Sequence, residues 1–144
     1  MIGRIFDSGA MPALERLVQF TGQRHRVLAD SIANLSTPNY RPRDLDPAQF
    51  QAAMQDAIER RRSTTRPMSG ELKIDDTRQL RFHNGGIEAK PQPTDENILF
   101  HDRNNRSLER IMQDVAENTL THDAGITLLK NEFEMLKLAI RERI

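Results

Sequence analysis

The 144-residue sequence contains no cysteine and no tryptophan, and its single tyrosine belongs to an aromatic fraction of only 5 %. Without cysteine the chain can form neither disulfide bonds nor thiolate metal sites. Hydrophobic residues make up 37 % of the sequence, whereas apolar content in a compact globular domain approaches half. We therefore expect part of the apolar surface to be buried against other chains.

A net charge and a long hydrophobic run are also lacking. The 21 basic and 21 acidic residues cancel, so no overall field attracts nucleic acid or an anionic membrane. The first residues lack the basic and then apolar regions of a secretory signal peptide, and no apolar stretch is long enough to span a bilayer. The arginines at 60–62 and 66 lie beside Glu59 without interleaved aromatics, which favours a solvated helix end over a nucleic-acid site.

The residues needed for catalysis do not form a recognisable pattern. The histidines at positions 25, 83, 101 and 122 are scattered and have no metal-ligand spacing. The Asn84-Gly85-Gly86 segment is too short for a phosphate-binding loop. We predict a protein that is not an enzyme, with no catalytic residue, metal, cofactor or small-molecule substrate.

A heptad pattern marks the N-terminal part of the chain. Successive positions of one predicted helix face are separated alternately by four and by three residues. This spacing is typical of a helix with one packed face. Pro12 suits the first turn of this helix, and Pro38 predicts its end at residues 34–37. The N-terminal seam consists of Leu14, Val18, Thr21, His25, Leu28, Ile32 and Leu35.

The C-terminal part carries two rows of residues with strict sevenfold spacing. They predict a helix that begins near Asn104 or Asn105 and runs to the end of the chain, too long for one small globule to cover. The first row is Leu108, Val115, His122, Leu129 and Leu136; the second is Met112, Thr119, Ile126, Phe133 and Ile140. We expect a mainly α fold in which long N- and C-terminal helices pack as an antiparallel coiled-coil-like hairpin.

The middle of the chain is less regular. Residues 47–62 predict a short helix that buries Phe50, Met54, Ala57 and Ile58. Alternating residues at 71–74 and 79–82, followed by the turn signal at 84–86, predict one or two short strands or an ordered loop. The expected organisation is one structural unit with a helical assembly segment at 1–36, a hinge, short helix and irregular or short-β region at 37–106, and a second helical segment at 107–144.

The stretch that separates the first helix from the middle region is a candidate hinge. Pro38 supplies the fixed φ of a turn corner, and Asn39 can occupy the following positive-φ position. Tyr40 then follows as an anchor. The candidate hinge and assembly motif consists of Ala33, Asn34, Thr37, Pro38, Asn39, Tyr40, Arg43 and Asp44. Taken by itself, the pattern is also that of an ordinary helix-terminating turn.

These hinge residues resemble the signature of the flagellar rod, hook and hook-associated axial proteins. Ala33-Asn34 followed by Thr37-Pro38-Asn39-Tyr40 matches it except that the family usually has glycine where Asn39 stands. The continuation from Arg43-Asp44 and the C-terminal stretch at 124–140 resemble the proximal rod members. The similar segments lie at both ends of the chain, in the family's order.

The resemblance implies a structural subunit of the proximal rod that assembles through its terminal helices, transmits torque and forms part of the export channel wall. It implies export by the flagellar type III system without a cleaved signal, and a location in the periplasmic rod of the basal body. The implied partners are other rod proteins, copies of the same chain, the basal-body adaptor protein and the export gate. Another axial protein of this family, or a generic coiled-coil adaptor, is the alternative.

Each predicted seam contains a threonine and a histidine near its middle. In an antiparallel register that places Leu35 opposite Leu108, Thr21 and His25 fall within a turn of Thr119 and His122. One hypothesis is a polar layer that fixes the register of the two helices. The alternative is that these side chains face solvent or a neighbouring subunit.

Overall fold

The computed structural model describes residues 9–63, 72–93 and 108–141. Within these ranges the chain is mainly helical, which confirms the predicted class, and the elements are, in chain order, α1 (Met11–Ala33), β1 (Arg43–Asp44), α2 (Pro47–Arg62), β2 (Leu80–His83), β3 (Gly86–Ala89), β4 (Gln92–Pro93) and α3 (Leu108–Arg141). The predicted start of the last helix at Asn104 or Asn105 and its continuation to residue 144 lie outside the described residues. Arg66 of the arginine cluster and Glu71 of the first predicted strand also lie outside the described residues.

Helix α1 begins and ends for local reasons. Pro12 lies in its first turn, where the missing N–H has no helical partner to lose. Its last turn closes through the Asn34 N–H, which donates to the Asp30 carbonyl at 3.1 Å.

Helix α2 occupies the range that the sequence pattern predicts. Asp46 caps its N-terminus, with a carboxylate oxygen that accepts from the Ala48 N–H at 2.9 Å. Three arginines lie in the last turn, where cations interact favourably with the helix dipole. The predicted inward face is Phe50, Met54, Ala57 and Ile58; the first three are buried and Ile58 is half-buried.

The middle region contains an ordered hairpin and a second small sheet. Strands β2 and β3 pair antiparallel from Leu80↔Ala89 to His83↔Gly86. Gly86, at φ 145°, follows the turn in a conformation that favours glycine. Strand β1 pairs antiparallel with β4, which ties the segment after the hinge to the segment that leads towards α3.

The hydrophobic core lies between α1, α2 and the β2–β3 hairpin. The rings of Phe20 and Phe50 stack at its centre, with centroids 4.2 Å apart, and Phe82 of the hairpin packs against Phe50. The other buried members of the core are Leu45, Met54, Ala57, Leu72, Ile74, Leu80 and Ile87. The middle region therefore supplies most of the core.

Helix α3 has 34 described residues and is about 50 Å long. Its buried residues are Ile111, Asn118 and Gly125, which recur every seven positions and face α1. Among the described helices, none combines the length and the apolar character needed to cross a membrane.

Gly125 allows α1 and α3 to approach closely. A Cβ at this position would lie 3.2 Å from Val18 Cγ2 and 3.4 Å from Leu17 Cδ2. We expect Gly125→Val to lower the free energy of unfolding by about 1–3 kcal/mol, because overpacking forces the helices apart. Chemical denaturation measures the effect.

Gly22→Val is the matched control, since a Cβ at Gly22 meets no heavy atom within 4 Å outside its own helix backbone. Equal losses at both positions would contradict the role of close helix packing at Gly125, because glycine-to-valine substitution by itself raises helix propensity.

Candidate functional site: the hinge and the Arg24 junction

The turn that follows α1 depends on two backbone conformations. The Tyr40 N–H donates to the Thr37 carbonyl at 3.3 Å, so Pro38 and Asn39 form the two central residues of the turn. Asn39 has φ 60° and is the only non-glycine residue with positive φ in the described ranges. Asparagine tolerates this region better than other residues with a Cβ. The hinge, here residues 34–40, therefore accommodates asparagine at its positive-φ position.

A polar network closes the hinge against α1. The Tyr40 hydroxyl donates to Asp30 Oδ2 at 3.0 Å. The Asn34 side-chain amide donates to the Asp30 carbonyl at 2.9 Å and to Asp30 Oδ1 at 3.2 Å. Partial burial and the bond to Asp30 raise the pKa of Tyr40, although Ser31 and Arg43 oppose the shift. Asp30 is thus the acceptor that joins both ends of the turn to the helix.

Ser31 fixes the chain where it leaves the turn. Its buried hydroxyl donates to the Arg43 carbonyl at 3.1 Å and accepts from the Arg43 N–H at 3.3 Å. Because one side chain satisfies both backbone groups of a residue twelve positions away, the entry into β1 is held at a fixed distance from α1.

Arg24 joins three segments of the chain. Its Nε donates to Asp44 Oδ1 at 3.0 Å and its Nη2 to Asp44 Oδ2 at 2.7 Å, a bidentate pair. The same Nη2 lies 3.5 Å from Asp114 Oδ1 of α3. Arg24 is only 6 % exposed. The Arg24 junction (Arg24, Asp44 and Asp114) therefore connects α1, β1 and α3.

The two carboxylates of the junction are not equivalent. Burial lowers the pKa of Arg24, but the bond to Asp44 and the charges of Asp44, Asp114 and Glu117 outweigh it and raise that pKa. Burial raises the pKa of Asp114; Arg24 acts against this shift, and Asp44 and Glu117 add to it. Asp44 is the close partner of the guanidinium, and Asp114 is a more distant, incompletely compensated charge.

Contacts between α1 and α3 run in opposite directions along the two helices. Arg24 meets Asp114, and the carbonyl of Thr21 accepts from Asn118 Nδ2 at 2.9 Å. Further along α3, Gly125 lies against Val18. Polar and small residues therefore form the closest contacts between these helices.

Thr21 of α1 and His122 of α3, one residue from each predicted Thr/His pair, lie in the contact between these two helices. Thr21 Oγ1 and His122 Nδ1 are 2.7 Å apart, and Thr21 Oγ1 also donates towards carbonyls of its own helix, that of Leu17 at 2.9 Å and that of Val18 at 3.1 Å. His25 and Thr119 are exposed, and the Thr119 hydroxyl bonds to the Val115 carbonyl. The polar contact is thus a single Thr21–His122 pair rather than a four-residue layer.

The predicted seam residues differ in burial. Leu28 is buried, while Leu108 and Ile140 are 45 % and 56 % exposed. Met112 is 55 % exposed. The other apolar seam residues are half-buried: Leu14, Val18, Ile32, Leu35, Val115, Ile126, Leu129, Phe133 and Leu136. The face of α3 that meets α1 is rotated towards Ile111, Asn118 and Gly125, because a small residue and a hydrogen-bonding residue permit the closest approach.

The predicted hinge residues lie together, but their roles differ. Asn34, Thr37, Tyr40 and Asp44 make the side-chain hydrogen bonds, whereas Arg43 contributes its backbone and Ala33, Pro38 and Asn39 are exposed. The sequence pattern did not identify Arg24, Asp30 or Ser31. Asp30 precedes Asn34 by one helical turn, and this spacing could have indicated a hydrogen bond between the two side chains. Nothing in the sequence around Arg24 or Ser31 indicated their contacts.

A cleft of about 480 Å³ lies beside the junction. Ser31, Pro42, Gln92, Arg110 and Glu117 are among the residues that line it, together with the junction itself. In the part of the chain that the structure describes, no group of three or more potential ligands is placed to hold a metal ion. The bonds of the junction fix the relative position of the chain segments that meet there.

Comparison with known proteins indicates the class. No family model matches the chain. Over 133 residues it is 26 % identical to the flagellar basal body rod protein FlgB of Aquifex aeolicus (strain VF5), covering 90 % of each chain. It is 25 % and 23 % identical over 141 residues to the proteins of the same name from Yersinia ruckeri and Yersinia enterocolitica, covering 93 % of this chain and 95 % of each relative.

Similarity over nine-tenths of the chain supports a flagellar basal body rod protein. Within that class the chain is FlgB-like, since all three relatives carry that name.

The positive φ at Asn39 leads to a test of the hinge. We expect Asn39→Val to lower the free energy of unfolding by about 1–2 kcal/mol, because a β-branched side chain is strained in this region. Asn39→Gly should stay within about 0.5 kcal/mol of the parent, since relief of strain is offset by the greater entropy of the unfolded chain. Thermal or urea denaturation compares the pair, and equal effects would contradict the role of φ.

The Arg24 junction gives a second test, with two isosteric substitutions. Asp44→Asn should cost roughly 2–3 kcal/mol at pH 7, because it leaves a buried guanidinium without its bidentate partner. Asp114→Asn should be neutral or stabilising at pH 7, since the fold disfavours the ionised form of that carboxyl.

The pH dependence of Asp114 has a defined sign. Because its folded pKa lies above its unfolded pKa, the native state binds the proton more tightly, and stability rises as pH falls through the folded pKa. The difference in unfolding free energy between the parent and Asp114→Asn should therefore shift in favour of the parent between pH 7 and about pH 4. A shift in the opposite sense would mean that the ion pair with Arg24 dominates.

Proposed function

We propose that this chain is a structural subunit of the proximal flagellar rod and that it assembles through α1 and α3. The observation that carries the proposal is the apolar surface that α3 retains after α1 has packed against it. The exposed large apolar residues are Leu108, Met112, Leu120, Leu128, Met135, Leu138 and Ile140. Apolar exposure on this scale is characteristic of a surface that other chains cover.

The assembly unit in this proposal is an antiparallel, coiled-coil-like hairpin of the two terminal helices. The reversed order of contacts supports it: Arg24 with Asp114, Thr21 with Asn118, and Val18 with Gly125. The Thr21–His122 pair adds a polar contact that fits only one register. A hairpin of this kind presents the outer face of α3 to neighbouring subunits.

The rigid hinge suits a subunit that transmits torque. Bonds from Asp30, Ser31 and Arg24 join α1 to the segment that follows the turn, so a load on the helices reaches the middle region without bending a free loop. In the assembled rod, α3 contributes to the wall of the export channel. The subunit acts without catalysis, cofactor, nucleic acid or small-molecule substrate.

The names of the relatives support a place in the basal body. There the subunit has as neighbours other rod proteins, copies of itself, the basal-body adaptor protein and the export gate. It reaches the periplasmic rod through the flagellar type III system.

Deletion of the gene in the source bacterium tests the proposal. We expect loss of flagella with the inner-membrane ring intact, because the rod lies between the ring and the external filament. Electron microscopy of isolated basal bodies is the measurement. A plasmid copy should restore flagella, and the Asn39→Gly variant should restore them as well as the parent does. Normal flagella in the deletion strain would contradict the proposal.

A further inference from the structure

We propose that the groove between α1 and α2 binds the C-terminal part of α3 from a second copy of this chain. The α1–α2 groove is defined here by Ala13, Leu14, Leu17, Met54 and Ile58. The inference rests on the structural role proposed above and names the surfaces by which one subunit holds the next.

The groove has the chemistry of a site for an apolar helix face. It is an open cavity of about 470 Å³ whose floor is aliphatic, with Phe50 of the core beneath it. Polar side chains form its rim along α2, among them Glu59 and Arg62. An apolar floor with charged edges suits an amphipathic helix.

The C-terminal part of α3 carries a matching face. Met135 and Leu138 are 56 % and 58 % exposed, and their separation by three residues places them side by side on the helix. Glu134 and Lys137 are also exposed and lie along one edge of this apolar pair. One helix face therefore combines two large apolar side chains with one charge of each sign.

Charge complementarity selects the direction of docking. If α3 of the second copy lies antiparallel to α2 with Leu138 opposite Ile58, Lys137 falls opposite Glu59 and Glu134 opposite Arg62. With Leu138 still opposite Ile58, a parallel arrangement would place Glu134 opposite Met54 and Lys137 opposite Ala57. Neither charge then meets an opposite charge at the matching position of α2, which disfavours the parallel arrangement. The geometry thus predicts a single register.

The contact joins two different surfaces, so it is head-to-tail. A heterologous contact of this type leaves a free groove at one end and a free helix at the other, and it generates rings or open helical arrays rather than a closed pair. Such growth is the behaviour that a rod subunit requires.

Disulfide trapping tests the contact directly, since the chain has no cysteine of its own. Full-length Ile58→Cys and Leu138→Cys chains are mixed in equal amounts under mild oxidation. We expect a 58–138 disulfide dimer on a non-reducing gel, identified by mass spectrometry of the linked peptides. Each variant carries one thiol, so every disulfide joins two chains.

Two controls make the result specific. Arg81→Cys, exposed on β2 and outside the groove lining, replaces Ile58→Cys in a parallel mixture and should give at least fivefold less dimer with Leu138→Cys. Each variant is also oxidised alone. Equal yields from positions 58 and 81, or dimers that form only between identical variants, would overturn the proposal.

Charge exchange tests the register without new thiols. Arg62→Glu should weaken self-association about two- to fivefold, the range for exposed ion pairs, and Glu134→Arg in the same chain should restore it. Arg81→Glu, which makes the same charge change elsewhere, should have no effect. Analytical ultracentrifugation gives the association constants. Failure of the double variant to recover would overturn the predicted register.

These outcomes separate this inference from the proposed function. Intact flagella after gene deletion would contradict the proposed role in the rod, independently of the result of the disulfide experiment. Loss of flagella together with self-association that does not involve positions 58 and 138 would leave the rod role standing and show that this interface is wrong.

Discussion

The buried guanidinium of Arg24 is the interaction on which the arrangement of the chain depends. Its Nε and Nη2 donate to the two carboxylate oxygens of Asp44, and Nη2 lies 3.5 Å from Asp114 Oδ1. A single side chain therefore links the first helix, the segment after the hinge and the last helix. These segments are far apart in sequence, and the apolar core does not join all three. The core holds α1 to α2 and the hairpin, whereas α3 packs mainly along α1, where its buried residues are Ile111, Asn118 and Gly125.

Such a polar junction contributes more to geometry than to net stability. Desolvation of buried ions offsets much of their attraction, and the raised pKa of Asp114 is a sign of that cost. An apolar contact tolerates sliding, but the bidentate Arg24–Asp44 pair, the Asn118–Thr21 bond and the Thr21–His122 contact are satisfied together in one register. A subunit whose helices must present a fixed outer face to its neighbours benefits from this specificity.

Sequence patterns predicted the parts of the fold that are governed by local chemistry. Helix α2 was predicted from the periodic spacing of Phe50, Met54 and Ala57, all of which are buried. The turn follows from Pro38 and Asn39, each at a position that its own φ preference suits. The contact between α1 and α3 could not be predicted in the same way, because a search for hydrophobic rows passes over Asn118 and Gly125. Arg24 was missed for a different reason. Its partner Asp44 lies beyond the hinge, so no local spacing in the sequence relates the two residues.

The low hydrophobic content of the chain has a structural explanation. The middle region uses its aromatic and aliphatic residues for a core of ordinary type, while the contact between the long helices uses Thr21, Asn118 and Gly125. Because few large apolar residues are used between the long helices, several of those in α3 remain on the outer surface. In a free chain Leu120 and Met135 remain 72 % and 56 % exposed, so much of their apolar surface stays in contact with water. The distribution is favourable only if neighbouring subunits cover that face, so the composition of the chain is itself an argument for assembly.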